Sequence, residues 1–247
     1  MLTHIRTEAD LDAALKMLGE IEPRFGALVT EAGRPPLRRR PDGYAGLAAT
    51  VVSQQLSTAS AGAIWGRLAA AFDPMLPEAI LRARAARLAR LGLSAPKIKA
   101  LKAIARAVSR GNLALAALAD IEADAAHAAL TAVHGIGPWT ADIYLLSCLG
   151  HADAWPAGDL ALQEAARLAF GLPARPSAKE MIALAEPWRP LRAVAARVLW
   201  TYYRAIKGRE GVPTPTLPSP ASGGGNGGGQ SQAKPKRTKA KRGGNGR

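Results

Sequence analysis

The chain has 247 residues, a formal charge of +14 at pH 7, and 48% hydrophobic but only 5% aromatic residues. It is long enough to bury a sizeable core as one large or two small domains, and its basic balance points to a polyanionic partner. The single cysteine, Cys148, excludes an internal disulfide and any cysteine-rich metal or iron–sulfur site. No apolar run approaches the ~18–20 residues of a membrane span, and the opening Met1–Thr7 lacks the apolar stretch of a signal peptide. A cytoplasmic, chromosome-associated, monomeric protein is expected.

Abundant Ala and Leu, with no run of alternating β-branched residues, predict an all-α chain in three parts: 1–40, 41–210 and 211–247. In the first part, residues 8–20 read as an amphipathic helix capped by Thr7. Arg34-Pro-Pro-Leu-Arg-Arg-Arg-Pro41 follows as an extended basic linker, because its prolines preclude regular helix. It is either a solvated loop or a phosphate-facing arm.

In the second part, a helix from Gly43 to Val52 leads through Ser53-Gln-Gln-Leu-Ser-Thr58 into Ala59–Leu68. Two consecutive glutamines, Gln54 and Gln55, are unusual between apolar helices and either cap them or face a ligand. Leu76–Leu91 contains an arginine-rich amphipathic helix with Arg82, Arg84, Arg87 and Arg90. Leu91-Gly-Leu-Ser-Ala-Pro gives a Gly stop, a Ser cap and a Pro start for a helix ending near Ser109. Lys97, Lys99 and Lys102 on it are solubilising or phosphate-contacting. Further helices are read at Ala123–Ala132, Pro138–Leu149, Asp159–Phe170, Met181–Glu186 and Arg192–Ile206. Residues 211–247 turn Pro- and Gly-rich and then lysine-rich, which predicts a disordered basic tail. That tail carries seven basic residues and no acid, so half of the formal charge of +14 belongs to it.

The organising stretch is Leu130-Thr-Ala-Val-His-Gly-Ile-Gly-Pro-Trp-Thr-Ala-Asp142. One helix ends, the chain turns on Gly135 and Gly137, and a second helix starts with Pro138 in its first turn. The unpaired N–H groups of that start, with the helix dipole behind them, suit a phosphate. Downstream, Asp159 follows Gly158 and opens another helix, where an aspartate is also an ordinary N-cap.

Val133-His-Gly-Ile-Gly-Pro-Trp-Thr-Ala141 resembles the helix-hairpin-helix of DNA glycosylases, and Gly158-Asp159 resembles the step that carries that superfamily's catalytic aspartate. The branch it is most similar to is DNA-3-methyladenine glycosylase II, and residues 20–207 can be laid along the pattern. The resemblance implies two helical subdomains flanking a base-binding cleft, and double-stranded DNA with alkylated bases as partner. It makes Asp159 the reacting carboxylate, Trp139 and Trp200 the base pocket with Tyr144 as a weaker member, and Gly135, Gly137 and Thr140 the phosphate grip. It sets Gln54 and Gln55 in the minor groove, with Gln55 filling the space left by an extruded nucleotide. No cofactor is required by the resemblance. The carbonyls of Thr131, Val133 and Gly135 match positions that hold Na+, K+ or Mg2+ in relatives.

Bifunctional glycosylase/lyases carry a lysine nucleophile where this chain has Trp139. An indole cannot form a Schiff base, so the expected reaction is hydrolysis alone. Two other readings stay open: a glycosylase for other damaged purines, and a non-catalytic helix-hairpin-helix module that only docks on phosphates.

Overall fold

The structure is a computed structural model that describes residues 2–209; the expected tail, 211–247, lies outside the described residues. Twelve α-helices are found among the described residues: α1 Glu8–Ile21, α2 Arg24–Ala32, α3 Gly43–Ser53, α4 Thr58–Ala71, α5 Pro77–Arg82, α6 Ala85–Arg90, α7 Ala95–Ser109, α8 Ala123–Thr131, α9 Pro138–Tyr144, α10 Leu160–Phe170, α11 Ala178–Ala185 and α12 Arg192–Arg209. Extended structure among these residues is limited to one antiparallel bridge, between His4 and His151.

The helix starts follow local chemistry. Thr7 and Asp10 form a reciprocal capping box on α1, and Ser177 and Glu180 do the same on α11. Ser57 caps α4 by accepting from the Ser60 N–H. Ser94 precedes α7 without a side-chain cap bond, so that start rests on its backbone and on Pro96.

Packing sorts the helices into two lobes. The chain ends make one, with α1 and α2 against α12, and α10 against α12. The middle makes the other, where α3 packs on α4, α7 and α9, and α5 and α6 pack on α7. A single apolar core runs through both lobes. In the terminal lobe it centres on Trp188, which meets Phe25 edge-on at 4.9 Å and Trp155 edge-on at 5.6 Å between ring centroids. Polar ties cross the divide as well. The guanidinium of Arg192, at the start of α12, pairs with Asp124 in the first turn of α8 and with Asp153, and Arg189 binds the same two carboxylates.

Three local departures from the sequence reading have physical causes. First, Arg24–Ala32 is a helix that has no side-chain cap to announce it; Phe25 and Leu28 hold it in the core. Second, the arginine-rich segment is two helices, broken at Ala83-Arg84 in extended backbone. The Lys102 ammonium takes the carbonyls of Leu81 and Ala83 at that break. Third, the second hairpin helix does not continue to Leu149 as α-helix but widens to a π turn over Leu145–Leu149. A π turn loosens the ordinary carbonyl pairing, and three arginines of other segments supply donors. Arg39 donates to the Cys148 and Leu149 carbonyls, Arg197 to that of Leu146, and the Arg40 N–H to that of Ser147. The basic linker is therefore neither a solvated loop nor a free arm along its length. It is a strap bound to the π turn, with Arg34 paired to Glu8 and Asp12.

Candidate active site

The first hairpin helix, α8, ends at Thr131, and Val133 and Ile136 close the turn through Val133 N–H to Leu130 O and Ile136 N–H to Val133 O. Gly135 has φ of +93°, in the left-handed region. A Cβ there would lie 2.4 Å from the Ala100 Cβ and 2.7 Å from its Cα, so the turn lies directly on α7. Gly137 differs: its φ is −85°, and a Cβ built on it meets nothing within 4 Å. It is the exposed N-cap of α9, so the helix start is reached from solvent at Gly137 and Pro138. The two glycines thus serve different ends, one packing the hairpin and the other keeping its mouth clear.

Beside the hairpin lies the turn between α3 and α4. Gln54 is half-buried, and its amide donates to the Thr140 hydroxyl at 2.5 Å. Thr140 is 1% exposed and has no surface to offer a phosphate directly; it fastens the glutamine turn to the hairpin instead. Lys97 completes the fastening by donating to the carbonyls of Val52 (2.7 Å) and Gln54 (2.8 Å). Gln55, so held, adopts φ of +55° and is exposed, followed by exposed Leu56. A left-handed non-glycine residue carries backbone strain, which the surrounding contacts must hold in place.

Asp159 caps α10, with its Oδ1 accepting from the Leu162 N–H at 2.8 Å. The same Oδ1 accepts from the Trp200 indole Nε1 at 3.2 Å, and Oδ2 accepts from the Trp139 Nε1 at 2.8 Å. Both tryptophans and the aspartate are half-buried. The hairpin helix α9, the cap of α10 and the middle of α12 thus converge on one carboxylate. Three N–H donors occupy three of its roughly four acceptor positions. Each indole is turned edge-on to Asp159. Gly158 has open space where a Cβ would stand, and Leu160 is 62% exposed, so the approach to Asp159 is unobstructed on that side.

Tyr144 does not join this group. It is wholly buried in the core, where desolvation raises its phenol above the usual range, and it reads as packing rather than as part of an accessible pocket. Cys148 is likewise inert, its thiol pushed up to about 12 by burial. His134 is an exposed turn residue. Asp142 carried no signal in the sequence. It is 8% exposed beneath the hairpin, and burial pushes its carboxyl up to about 8 against the opposing influence of Arg192 and the Trp155 N–H. His127 approaches it at 3.7 Å, and burial lowers the imidazole as it raises the carboxyl, which disfavours the charged form of each. Among the described residues, no group of three or more His, Cys, Asp or Glu side chains is arranged to hold a metal.

A hairpin with an exposed helix start, a strained turn beside it and a carboxylate held between two indoles meet in one region of the fold. The chain belongs to the HhH-GPD superfamily of base excision DNA repair proteins, whose family model matches residues 48–190. It is 27% identical over 202 residues to the alkylbase DNA glycosidase-like protein mag2 of Schizosaccharomyces pombe, covering 78% of this chain and 94% of that one. It is 32% identical over 202 residues to a probable bifunctional transcriptional activator/DNA repair enzyme AlkA of Mycobacterium tuberculosis, of which it spans 40% of the length. Among solved structures, the S. pombe 3-methyladenine DNA glycosylase Mag1 in complex with abasic DNA is similar at 29% identity and a TM-score of 0.68, covering 76% of this chain and 95% of that one. A DNA-3-methyladenine glycosidase of Bacillus halodurans is similar at 29% identity and a TM-score of 0.70, covering 81% and 92%.

Proposed function

We propose that this chain is a monofunctional DNA glycosylase that extrudes alkylated purines of the 3-methyladenine type from double-stranded DNA and hydrolyses their N-glycosidic bond. The observation that carries the reading is the carboxylate of Asp159 bound by the indole N–H groups of Trp139 and Trp200. The relatives bearing 3-methyladenine glycosylase names support the choice of substrate.

Extrusion costs a few kcal/mol, which binding must supply. The open start of α9 at Gly137 grips a backbone phosphate, and Gln55 with its left-handed backbone fills the gap in the stack. If a cation joins the hairpin, the Thr131, Val133 and Gly135 carbonyls would hold it. The Val133 carbonyl already accepts from Ile136 but keeps a second lone pair. Such an ion would add positive charge opposite the phosphate.

An alkylated purine is cationic, and an indole face attracts a cation. With their edges fixed on Asp159, the rings of Trp139 and Trp200 have a set orientation for the extruded base. The glycosidic electron pair leaves with the base, which departs neutral, and C1′ of the sugar becomes an oxocarbenium ion. Asp159 lies where that charge develops and stabilises it electrostatically. Water then adds to C1′ and loses a proton to solvent. With three N–H donors already on the carboxylate, charge stabilisation suits it better than proton abstraction from water. No amine replaces Trp139 as a nucleophile, so an abasic site in an intact strand is the product.

The test is release of free base from methylated duplex DNA, resolved by chromatography, with borohydride present in a parallel reaction. Free 3-methyladenine, no trapped protein–DNA adduct and strand breakage only after alkali are expected. Release of oxidised or deaminated purines instead would reassign the substrate. Tight DNA binding with no base released would reduce the protein to a docking module.

A further inference from the structure

Helix α12 carries Arg197, Trp200 and Arg204 at positions three and four residues apart, which puts them on one face. Trp200 is the residue of that face bonded to Asp159. Arg204 stands one turn further, about 6 Å along the axis. Its Nε donates to the Trp200 carbonyl at 3.3 Å and its Nη2 to the Thr201 hydroxyl at 3.2 Å, so the guanidinium is folded back toward the tryptophan.

The basic strap crosses this same face. The Leu37 carbonyl accepts from the buried Arg197, which brings the next residue, Arg38, against α12. Arg38 is exposed and has φ of +46°. Among the described residues its guanidinium makes no hydrogen bond or ion pair, and Arg204 has no carboxylate partner either. Arg38 is close enough to Arg204 and Arg197 for its charge to disfavour theirs, in addition to the larger effect of burial. Two like charges near one another, one of them on strained backbone, cost free energy that no ion pair among the described residues offsets.

We infer that Arg38 and Arg204 form a clamp for a backbone phosphodiester of the extruded nucleotide, next to the Trp200–Asp159 pair. The inference rests on the glycosylase reading for its ligand. Arginine suits a phosphodiester because its planar fork donates to two oxygens at once. A nucleotide whose sugar meets Asp159 has its own backbone running past the adjoining turn of α12. That phosphate arrives covalently tethered to a sugar, which overcomes the repulsion that Asp159 would exert on a free anion.

Arg38→Gly tests the clamp without endangering the fold, because glycine accepts a left-handed φ that arginine resists. Binding is measured by fluorescence anisotropy on a duplex carrying a stable abasic analogue and on the same duplex intact, over a range of salt. Arg38→Gly and Arg204→Ala should each weaken abasic-duplex binding roughly tenfold at low salt. Each should lower the slope of log K against log salt by about 0.9, as expected for one phosphate contact. Arg38→Lys should recover part of the loss, intact-duplex affinity should change much less, and the melting temperature of Arg38→Gly should not fall. Wild-type affinity and slope in both variants on abasic DNA would overturn the clamp. Equal losses on intact and abasic duplexes would also overturn it, by moving the contact away from the extruded nucleotide. These readings need no base release, so a protein that failed to excise alkylated bases could still pass them.

Discussion

At the level of single residues, Asp159 and Asp142 are two carboxylates that their surroundings make different. Asp159 meets donors on both oxygens. In Asp159→Asn the amide oxygen can keep the Leu162 and Trp200 bonds, but the NH2 then faces the Trp139 N–H, donor against donor, across a contact that is 2.8 Å in the native site. Excision measured under single-turnover conditions should fall by roughly 10²–10³-fold through loss of the charge. Stability should fall too, by about 1 kcal/mol, because one indole N–H is left unpaired in a half-buried site. The second effect has its own signature: in a Trp139→Phe background, Asp159→Asn should cost almost no stability. Unchanged excision in Asp159→Asn would remove Asp159 from the chemistry. Asp142 behaves in the opposite sense. Its folded-state pKa of about 8 lies above the usual carboxylate value of 3.8, so the folded protein keeps a proton that the unfolded chain releases. The stability this contributes is complete below pH 4, declines as pH rises, and is gone above pH 8. Asp142→Asn can still accept the Trp155 N–H, and it should flatten the decline in denaturant stability between pH 5 and pH 8. A variant with the wild-type slope would show that Asp142 does not set it.

At the level of elements, the hairpin shows how much a sequence discloses. Its two helices, its glycines and its Pro start are local signals, and all of them are found. So are the caps on α1 and α10, because a side chain three residues away from its backbone partner leaves a readable spacing. What stayed hidden depends on partners distant in the chain. Lys97 and Lys102 look like ordinary helix-surface lysines, yet each closes the carbonyl end of another helix. The π turn depends on Arg39 and Arg197, 109 and 51 residues away from the carbonyls they reach. The aromatic pair was legible by resemblance, but its edge-on bonding to Asp159 was not. The glycines themselves looked equivalent and are not. Gly135→Ala should cost several kcal/mol, since it combines a left-handed φ with a backbone clash against Ala100. Gly137→Ala should leave thermal stability within about 0.5 kcal/mol of wild type. It should weaken DNA binding by placing a methyl group at the open mouth of α9. Equal melting temperatures for the two variants would contradict the packing role of Gly135.

At the scale of the whole molecule, the two lobes are joined by a continuous core and by the Arg189–Arg192 network with Asp124 and Asp153, so the parts of the site from α9, α10 and α12 are packed on one core. Charge is distributed differently from structure. Many of the body's arginines and lysines are committed to carbonyls or carboxylates, as Arg34, Arg39, Lys97, Lys102, Arg189, Arg192 and Arg197 are. By contrast, half of the formal charge lies after Gly211, beyond every residue placed in the site. Deleting 211–247 should therefore leave the melting temperature and the single-turnover excision rate under saturating enzyme unchanged. The same deletion should reduce affinity for intact duplex most at low salt, where counterion release contributes most. The slope of log K against log salt should decrease by up to about 0.9 for each of the seven cations that meets a phosphate. A truncated protein with unaltered affinity and slope would show that the basic charges of the body alone hold DNA. A fall in the saturated excision rate would instead tie this segment to the chemistry at Asp159.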